Sequence, residues 1–330
     1  MERQDLARVA AQYWESAAVN AAVQLGLFAR LSHSAAGIET LTQDLSVSPI
    51  HLEALLEALL AMGIVCRDDS EWAIAPQLVG ALDPESADSL IPVLAFNGDL
   101  FGLWGRLADS VREGKPPVPD NPHLGSDADR TRRFVQGMHS RASLYADALA
   151  HAVDLTGVQR LLDVGGGPGT FAAALATAFP ALRVTVFDLP PVVEVAAGLQ
   201  SQHPARDRLH FEAGTYHVDA LPIAHDGLLY AGALHQETEE SARVLFSRFS
   251  DVLEAGSPCW IVDLMLEPGR EGPAFSALFG VNMLLMRPTA RMWATDEVEL
   301  LLSEVGLIPA GTVPIEGTPY HMIKAVKAEG

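Results

Sequence analysis

Cysteine is almost missing from this chain: Cys66 and Cys259 are the only two in 330 residues, far apart and outside any Cys-x-x-Cys arrangement. That excludes a disulfide framework and a cysteine-built zinc cluster, and it fits a reducing compartment, so the cytoplasm is the expected location. Positive charge is scarce as well, with 22 Lys and Arg against 42 Asp and Glu and a net charge of −20. A polyphosphate backbone is approached with clustered basic side chains, so nucleic acid is not an expected partner. No run of about twenty uncharged apolar residues occurs, and Met1-Glu2-Arg3-Gln4-Asp5 does not lead a basic stretch into an apolar one. Neither a membrane span nor an export signal is expected. Charged residues make up 19% of the chain and hydrophobic ones 49%, which excludes a disordered polymer and is enough apolar material for two cores.

What is present falls into two textures. Leu6, Val9, Ala10, Tyr13, Trp14, Ala17, Ala18, Ala21 and Leu25 recur three and four apart, which predicts one helical stripe over 6–25. Helices over 38–45 and 52–62 follow, the second opened by Ser48-Pro49 and ended by Gly63. Ile64-Val65-Cys66 and Trp72-Ala73-Ile74, joined by a polar turn at Asp68-Asp69-Ser70, read as a hairpin. Helices followed by a hairpin make a winged-helix pattern, which can read DNA. Here the second helix of the pair carries Glu53 and Glu57 and no Lys or Arg, which favours a dimerisation or scaffolding module. Helical stretches are expected over 89–113 and 129–153, separated by the proline-rich loop 115–122.

After Gly157 strands alternate with helices: strands over 160–164, 183–187, 209–211, 228–231 and 259–262, with helices over 170–179, 191–199 and 241–253 between them. Such alternation builds a mostly parallel, doubly wound sheet covered on both faces, an α/β Rossmann-like domain. The expected organisation is a mainly helical module over 1–88, a helical bridge capping an acceptor pocket over 89–153, and the α/β domain over 154–330.

The sharpest chemical signal is Leu161-Leu162-Asp163-Val164-Gly165-Gly166-Gly167-Pro168-Gly169-Thr170, a buried strand running into a glycine-rich turn that opens a helix. Glycines there let the backbone turn tightly and bring N–H groups within contact distance of a ligand. A dinucleotide fingerprint begun at Gly165 needs its last glycine where Thr170 stands, so the spacing is Gly-x-Gly-x-Gly with an acid before it. A second acid closes the next strand, in Val186-Phe187-Asp188-Leu189-Pro190, where a carboxylate can accept from both hydroxyls of a ribose.

This arrangement resembles motif I of the class I S-adenosylmethionine methyltransferases. Together with Leu234-His235, Asp263 and the segment Asn282-Met283-Leu284, the run from Asp163 to Pro190 looks like the bacterial small-molecule O-methyltransferases, relatives of the plant caffeic acid type. The resemblance covers nearly the whole chain. It implies S-adenosylmethionine as cofactor, a homodimer formed through the N-terminal module, and methyl transfer to a hydroxyl of a small aromatic or polyketide-like acceptor. It further implies His235 as general base and Asp263 as the acid that orients its ring. Cofactor contacts are expected from Asp163, Gly165, Gly167, Gly169, Asp188, Leu189, Thr215 and Tyr216. Acceptor contacts are expected from Met138, His139, Phe279, Asn282, Met283 and Met286, with Phe275, Arg141 and Tyr145 as further pocket residues.

Three positions depart from the family. Gln236-Glu237 stand where Asp-Trp usually follows the base, and the missing Asp argues against a metal there. Met292 falls near a second orienting acid, and Thr215 replaces an Asp that contacts the adenine amino group. A reduced base leaves open methyl transfer to carbon or nitrogen, or a protein that binds the cofactor without consuming it.

Overall fold

The computed structural model describes residues 2–117 and 127–329. The chain divides into two compact units, Met1–Gly102 and Leu103–Gly330. Most of the proline-rich loop expected over 115–122 lies outside the described residues.

The first unit opens with α1 (Arg3–Val9), α2 (Tyr13–Gln24) and α3 (Leu27–His33). The single helix expected over 6–25 is therefore two helices, and its stripe is not a core face: Leu6, Tyr13 and Trp14 are mostly exposed and Ala22 is the buried residue of α2. Then come β1 (Ala36–Gly37), α4 (Ile38–Leu45) and α5 (Pro49–Ala61). Ser48 precedes Pro49 at the first helical position, where a missing N–H costs nothing, and Gly63 takes φ +72° after the last turn. The hairpin is β2 (Val65–Asp68) and β3 (Glu71–Ile74), with Asp69 in the left-handed region at φ 49°. β1 adds to β3 as a short third strand. Phe28, Leu31, Leu41, Leu52, Leu56, Leu59 and Trp72 form this unit's core. α6 (Val79–Leu82) and α7 (Ile91–Trp104) follow, and the division between the units falls inside α7.

The second unit carries α8 (Leu107–Glu113), α9 (Ala128–Ser143) and α10 (Ala146–Ala152) before its sheet. Asp127 caps α9 by accepting from the Arg130 N–H. Strands β4 (Arg160–Val164), β5 (Arg183–Asp188), β6 (Leu209–Ala213), β7 (Gly227–Ala231) and β8 (Pro258–Asp263) alternate with α11 (Thr170–Ala178), α12 (Pro190–Leu199) and α13 (Glu239–Val252). After β8 come α14 (Ala274–Leu284), α15 (Thr295–Glu304), β9 (Leu307–Pro314) and β10 (His321–Lys327).

The seven strands lie in the order β6-β5-β4-β7-β8-β10-β9. The first five are parallel, and β10 runs antiparallel to both its neighbours. Period-two alternation splits the sheet's side chains between two cores. Leu161, Val184, Val186 and Leu229 face one, while Leu162, Phe187, Leu228 and Tyr230 face the other. The chain winds from β4 outward to β6, returns, and continues through β7 to β8. The strand order thus reverses between β4 and β7, and a crevice opens beyond their carboxyl ends, where open α/β sheets hold ligands. Val164, Asp188, Ala213, Ala231 and Asp263 all end parallel strands on that rim.

Candidate active site

The turn after β4 is shaped by three left-handed glycines: Gly165 at φ 65°, Gly167 at φ 53° and Gly169 at φ 69°. Their N–H groups are already committed, Gly165 to the Phe187 carbonyl at 2.8 Å, Gly167 to Asp188 Oδ2 at 2.8 Å and Gly169 to the Gly166 carbonyl at 2.9 Å. These three positions therefore supply conformation and room, not the waiting backbone donors that the spacing suggested. A Cβ on Gly167 would meet nothing within 4 Å, so open space lies over the turn there. Gly166 has no such freedom, because its Cβ would stand 2.4 Å from Asp163 Oδ2 and 2.9 Å from Val186 Cγ1.

Two acids lie beside this turn. Asp163 is 1% exposed, and neither carboxyl oxygen has a hydrogen-bond partner among the described residues. Burial, and then the charge of Asp188, push its carboxyl up to about 8. Asp188 accepts from the backbone N–H groups of Leu189 at 2.7 Å and Gly167 at 2.8 Å. Burial pushes Asp188 up to about 6, against those two donors, which favour its charged form. A paired-acid pocket with unused acceptors suits a ligand bearing positive charge and hydroxyl donors. The residues present therefore fit an adenosyl sulfonium compound.

Tyr216 forms part of the same wall, since a Cβ on Gly165 would lie 3.2 Å from its Cε1. Thr215 is held by its backbone, donating from N–H to Asp219 Oδ2 at 2.8 Å.

Beyond β7 the chain makes a short turn, and His235 sits in it, 8% exposed. The Asp263 carboxylate at the end of β8 accepts from the His235 N–H (Oδ2, 3.0 Å), meets the ring at Nδ1 (Oδ1, 2.9 Å; Oδ2, 3.1 Å) and accepts from the Leu264 N–H (Oδ1, 2.7 Å). With the carboxylate as acceptor, Nδ1 carries the hydrogen and Nε2 presents a lone pair. The Phe279 ring meets the imidazole edge to face, centroids 4.9 Å apart at 87°. From behind, Trp293 Nε1 donates to the Leu234 carbonyl at 3.1 Å and the Arg291 N–H to the His235 carbonyl at 3.3 Å. The next helix, α13, is capped by Thr238, whose hydroxyl accepts from the Ser241 N–H at 3.1 Å.

The residues expected around the acceptor separate in the structure. Phe279 reaches His235, and Met283 and Met286 are buried at and just after the end of α14. Asn282 accepts at Oδ1 from Trp104 Nε1 at 2.9 Å, so that oxygen serves a helix contact. Met138 and His139 are half-buried on α9. His139 Nδ1 lies 2.7 Å from Thr170 Oγ1 at the start of α11, and burial, then the charge of His203, hold its pKa below the ordinary value. The Tyr145 ring packs edge-on against Tyr320, and Phe275 is 58% exposed. Met292 stands in the core against Gly280, whose Cβ would be 3.0 Å from that of Met292.

Sequence reasoning passed over Trp293 and gave Glu237 no part beyond a departure. An indole expected to be buried needs an acceptor, which is the signal that could have found Trp293. Among the described residues no group of three or more His, Cys, Asp or Glu could hold a metal ion, and no helix is long and apolar enough to cross a membrane.

A parallel sheet closed by the antiparallel β10, with a Gly-x-Gly-x-Gly turn after β4 and an acid closing β5, is the arrangement of the S-adenosylmethionine methyltransferase fold class. Residues 104–308 match the family described as the O-methyltransferase domain, and residues 7–77 match the O-methyltransferase dimerisation domain. The chain belongs to the S-adenosylmethionine-dependent O-methyltransferase family, and its cofactor is S-adenosylmethionine. It is 30% identical over 286 residues to the 3-hydroxy-5-methyl-1-naphthoate 3-O-methyltransferase of Streptomyces sahachiroi, covering 85% of this chain and 82% of that one. It is 27% identical over 319 residues to the tetracenomycin polyketide synthesis 8-O-methyl transferase TcmO of Streptomyces glaucescens, covering 95% and 94%. Human N-acetylserotonin methyltransferase, solved in complex with S-adenosylmethionine, shares the fold with a TM-score of 0.89 over 100% of this chain and 99% of that one, at 23% identity.

Proposed function

We propose that this enzyme methylates a hydroxyl of a small aromatic or polyketide-like acceptor, with His235 as general base and Asp263 as the group that orients it. The buried His235–Asp263 pair, closed at 2.9 Å on the rim of the sheet, carries this reading. The named acceptors of the two Streptomyces relatives, a hydroxynaphthoate and a tetracenomycin polyketide, support the acceptor class.

When bound, S-adenosylmethionine supplies an electrophilic methyl group on a sulfonium. The residues that would hold it are Asp163, Gly165, Gly167, Gly169, Asp188, Leu189, Thr215 and Tyr216, with Asp188 accepting from ribose hydroxyls. On the acceptor side, His235 Nε2 takes the hydroxyl proton while Asp263 accepts from Nδ1–H and stabilises the imidazolium. Phe279 limits the tilt of the imidazole, and Met283 and Met286 would present apolar surface that excludes water, with Met138, His139 and Asn282 as further proposed acceptor contacts. The charge of the cofactor is lost during transfer, so a dry, aligned site favours the step. The module over 1–88 is the proposed dimerisation surface of a homodimer: Leu6, Tyr13 and Trp14 expose an apolar face in the single chain, and residues 7–77 match a dimerisation domain. Residues 89–153 are assigned as the cap of the acceptor pocket and 154–330 as the catalytic domain. A cytoplasmic enzyme without a nucleic-acid partner fits the charge of −20 and the two free cysteines.

Incubation with S-adenosylmethionine and a panel of hydroxynaphthoates and other phenols tests the proposal. The expected result is release of S-adenosylhomocysteine with a product whose new methyl carbon resonates as a methoxy group in carbon-13 NMR. A methyl on carbon or nitrogen, or no demethylated cofactor with any phenol, overturns it.

A further inference from the structure

We propose that Glu237 is a positioning residue for cofactor binding: it holds the Tyr216 ring against Gly165 and so fixes one wall of the cofactor seat. The inference rests on the reading of the glycine turn as that seat.

Glu237 is 3% exposed, in the backbone turn that also carries His235, and its N–H donates to the Leu234 carbonyl at 2.9 Å. A buried carboxylate is costly unless hydrogen bonds or opposite charge compensate it. Glu237 Oε1 accepts from the Tyr216 hydroxyl at 3.2 Å and lies 3.4 Å from His217 Nε2. Burial raises the Tyr216 hydroxyl well above its ordinary value, so it stays a donor across the neutral range.

The ring edge beside that hydroxyl is where the cofactor turn begins. A Cβ on Gly165 would meet Tyr216 Cε1 at 3.2 Å and Tyr230 Cε2 at 3.6 Å, so two tyrosine rings back this turn. Tyr230 is fully buried and fixed by its strand. Tyr216 instead hangs from the loop after β6, half-buried, edge-on to Tyr230 at 5.8 Å and against the exposed His217 ring at 4.5 Å. Ring contacts of this kind are not directional enough to set the ring, so it is set at its hydroxyl, which faces Tyr230 as well as the Glu237 carboxylate, the stronger acceptor and one anchored in another segment. Glu237 thereby couples the loop after β6 to the segment after β7 across the mouth of β4.

Isothermal calorimetry of the full chain with S-adenosylmethionine and S-adenosylhomocysteine tests this, using wild type, Glu237→Leu, Glu237→Gln, Tyr216→Phe, the Glu237→Leu/Tyr216→Phe double variant and Asp188→Ala. Glu237→Leu is expected to weaken both ligands about tenfold, Tyr216→Phe by a similar factor, and the double variant by no more than either alone. Glu237→Gln, whose amide oxygen still accepts, should stay within about twofold of wild type. A merely structural carboxylate would lower the melting temperature without this pattern of rescue and non-additivity. Wild-type affinity in Glu237→Leu or Tyr216→Phe beside a weakened Asp188→Ala overturns the inference and leaves the seat standing. Wild-type affinity in Asp188→Ala as well means that the seat itself is misassigned, and the inference falls with it. Should Glu237→Leu fail to fold, Tyr216→Phe, which removes a single oxygen, decides alone.

Discussion

Asp263 grips His235 at two places, the ring Nδ1 at 2.9 Å and the backbone N–H at 3.0 Å, so one carboxylate fixes both where the imidazole stands and which nitrogen carries its hydrogen. His235→Ala should lower kcat by about 10²-fold or more while cofactor affinity stays near wild type. Asp263→Asn keeps the size of the side chain but lets its amide donate to the ring, and a loss of about 10- to 100-fold in kcat is expected. Single-turnover kinetics with an active phenol checks both, and full activity in His235→Ala would remove that residue from the chemistry.

The proposed ribose contact of Asp188 makes a separate prediction. Asp188→Ala should weaken S-adenosylhomocysteine by about 1 to 3 kcal/mol, measured by calorimetry. Because the free carboxyl is pushed up to about 6, affinity in wild type should improve as pH rises through that value and its acceptor form fills. Asp188→Asn should lose this dependence.

Cofactor binding should also release protons. A cationic ligand beside Asp163 and Asp188 favours their charged forms and lowers both pKa values from about 8 and about 6. Binding enthalpies measured between pH 6 and 8 in buffers of different ionisation heat should therefore report proton release, and Asp163→Asn should diminish it. Proton uptake in that window would contradict the charge arrangement.

The same acid predicts a stability trend in the absence of cofactor. Folded Asp163 keeps its proton up to about 8, whereas in the unfolded chain the carboxyl loses it near its ordinary 3.8. Between those values the unfolded state binds fewer protons, so this group's stabilising contribution, complete at the acid end, is lost as pH rises toward 8. Asp163→Asn should flatten that part of the curve, as read by denaturant melts over the pH range.

At the turn itself, Gly166→Ala forces a Cβ to 2.4 Å from Asp163 Oδ2 and 2.9 Å from Val186 Cγ1. The melting temperature should fall by about 2 to 10 °C and cofactor heat should disappear. Gly167→Ala meets open space and pays mainly for its left-handed backbone, so it should fold better than Gly166→Ala.

The central parallel strands β4, β7 and β8 were legible because they are buried on both faces and read as short, nearly continuous apolar runs, whereas β5 and the edge strand β6 are partly exposed; β4 emerges with the expected bounds and the others within a few residues. The closing antiparallel pair was not read. β9 contains Pro309, Gly311 and Pro314 and is mostly exposed, so it has the composition of a loop and is a strand only because β10 pairs with it. The stripe over 6–25 misled for a different reason: helical periodicity shows that a face is apolar but not that the same chain covers it. At the site, Gly165, Asp188 and the His235–Asp263 pair carried signals of type and spacing. Glu237 carried none, since its role depends on Tyr216 arriving from another loop.

β10 lies against β8 with His321 opposite Asp263, and it comes after every other strand in the chain. While a nascent chain is being made, β8 therefore waits with one side of its backbone unpaired and a row of apolar residues behind it. Shortened products that stop before β10 keep the glycine turn, the acids and the histidine, yet display an open sheet edge suited to pairing with another copy. Their predicted fate is aggregation, which makes the last strand a seal on solubility as much as a part of the fold.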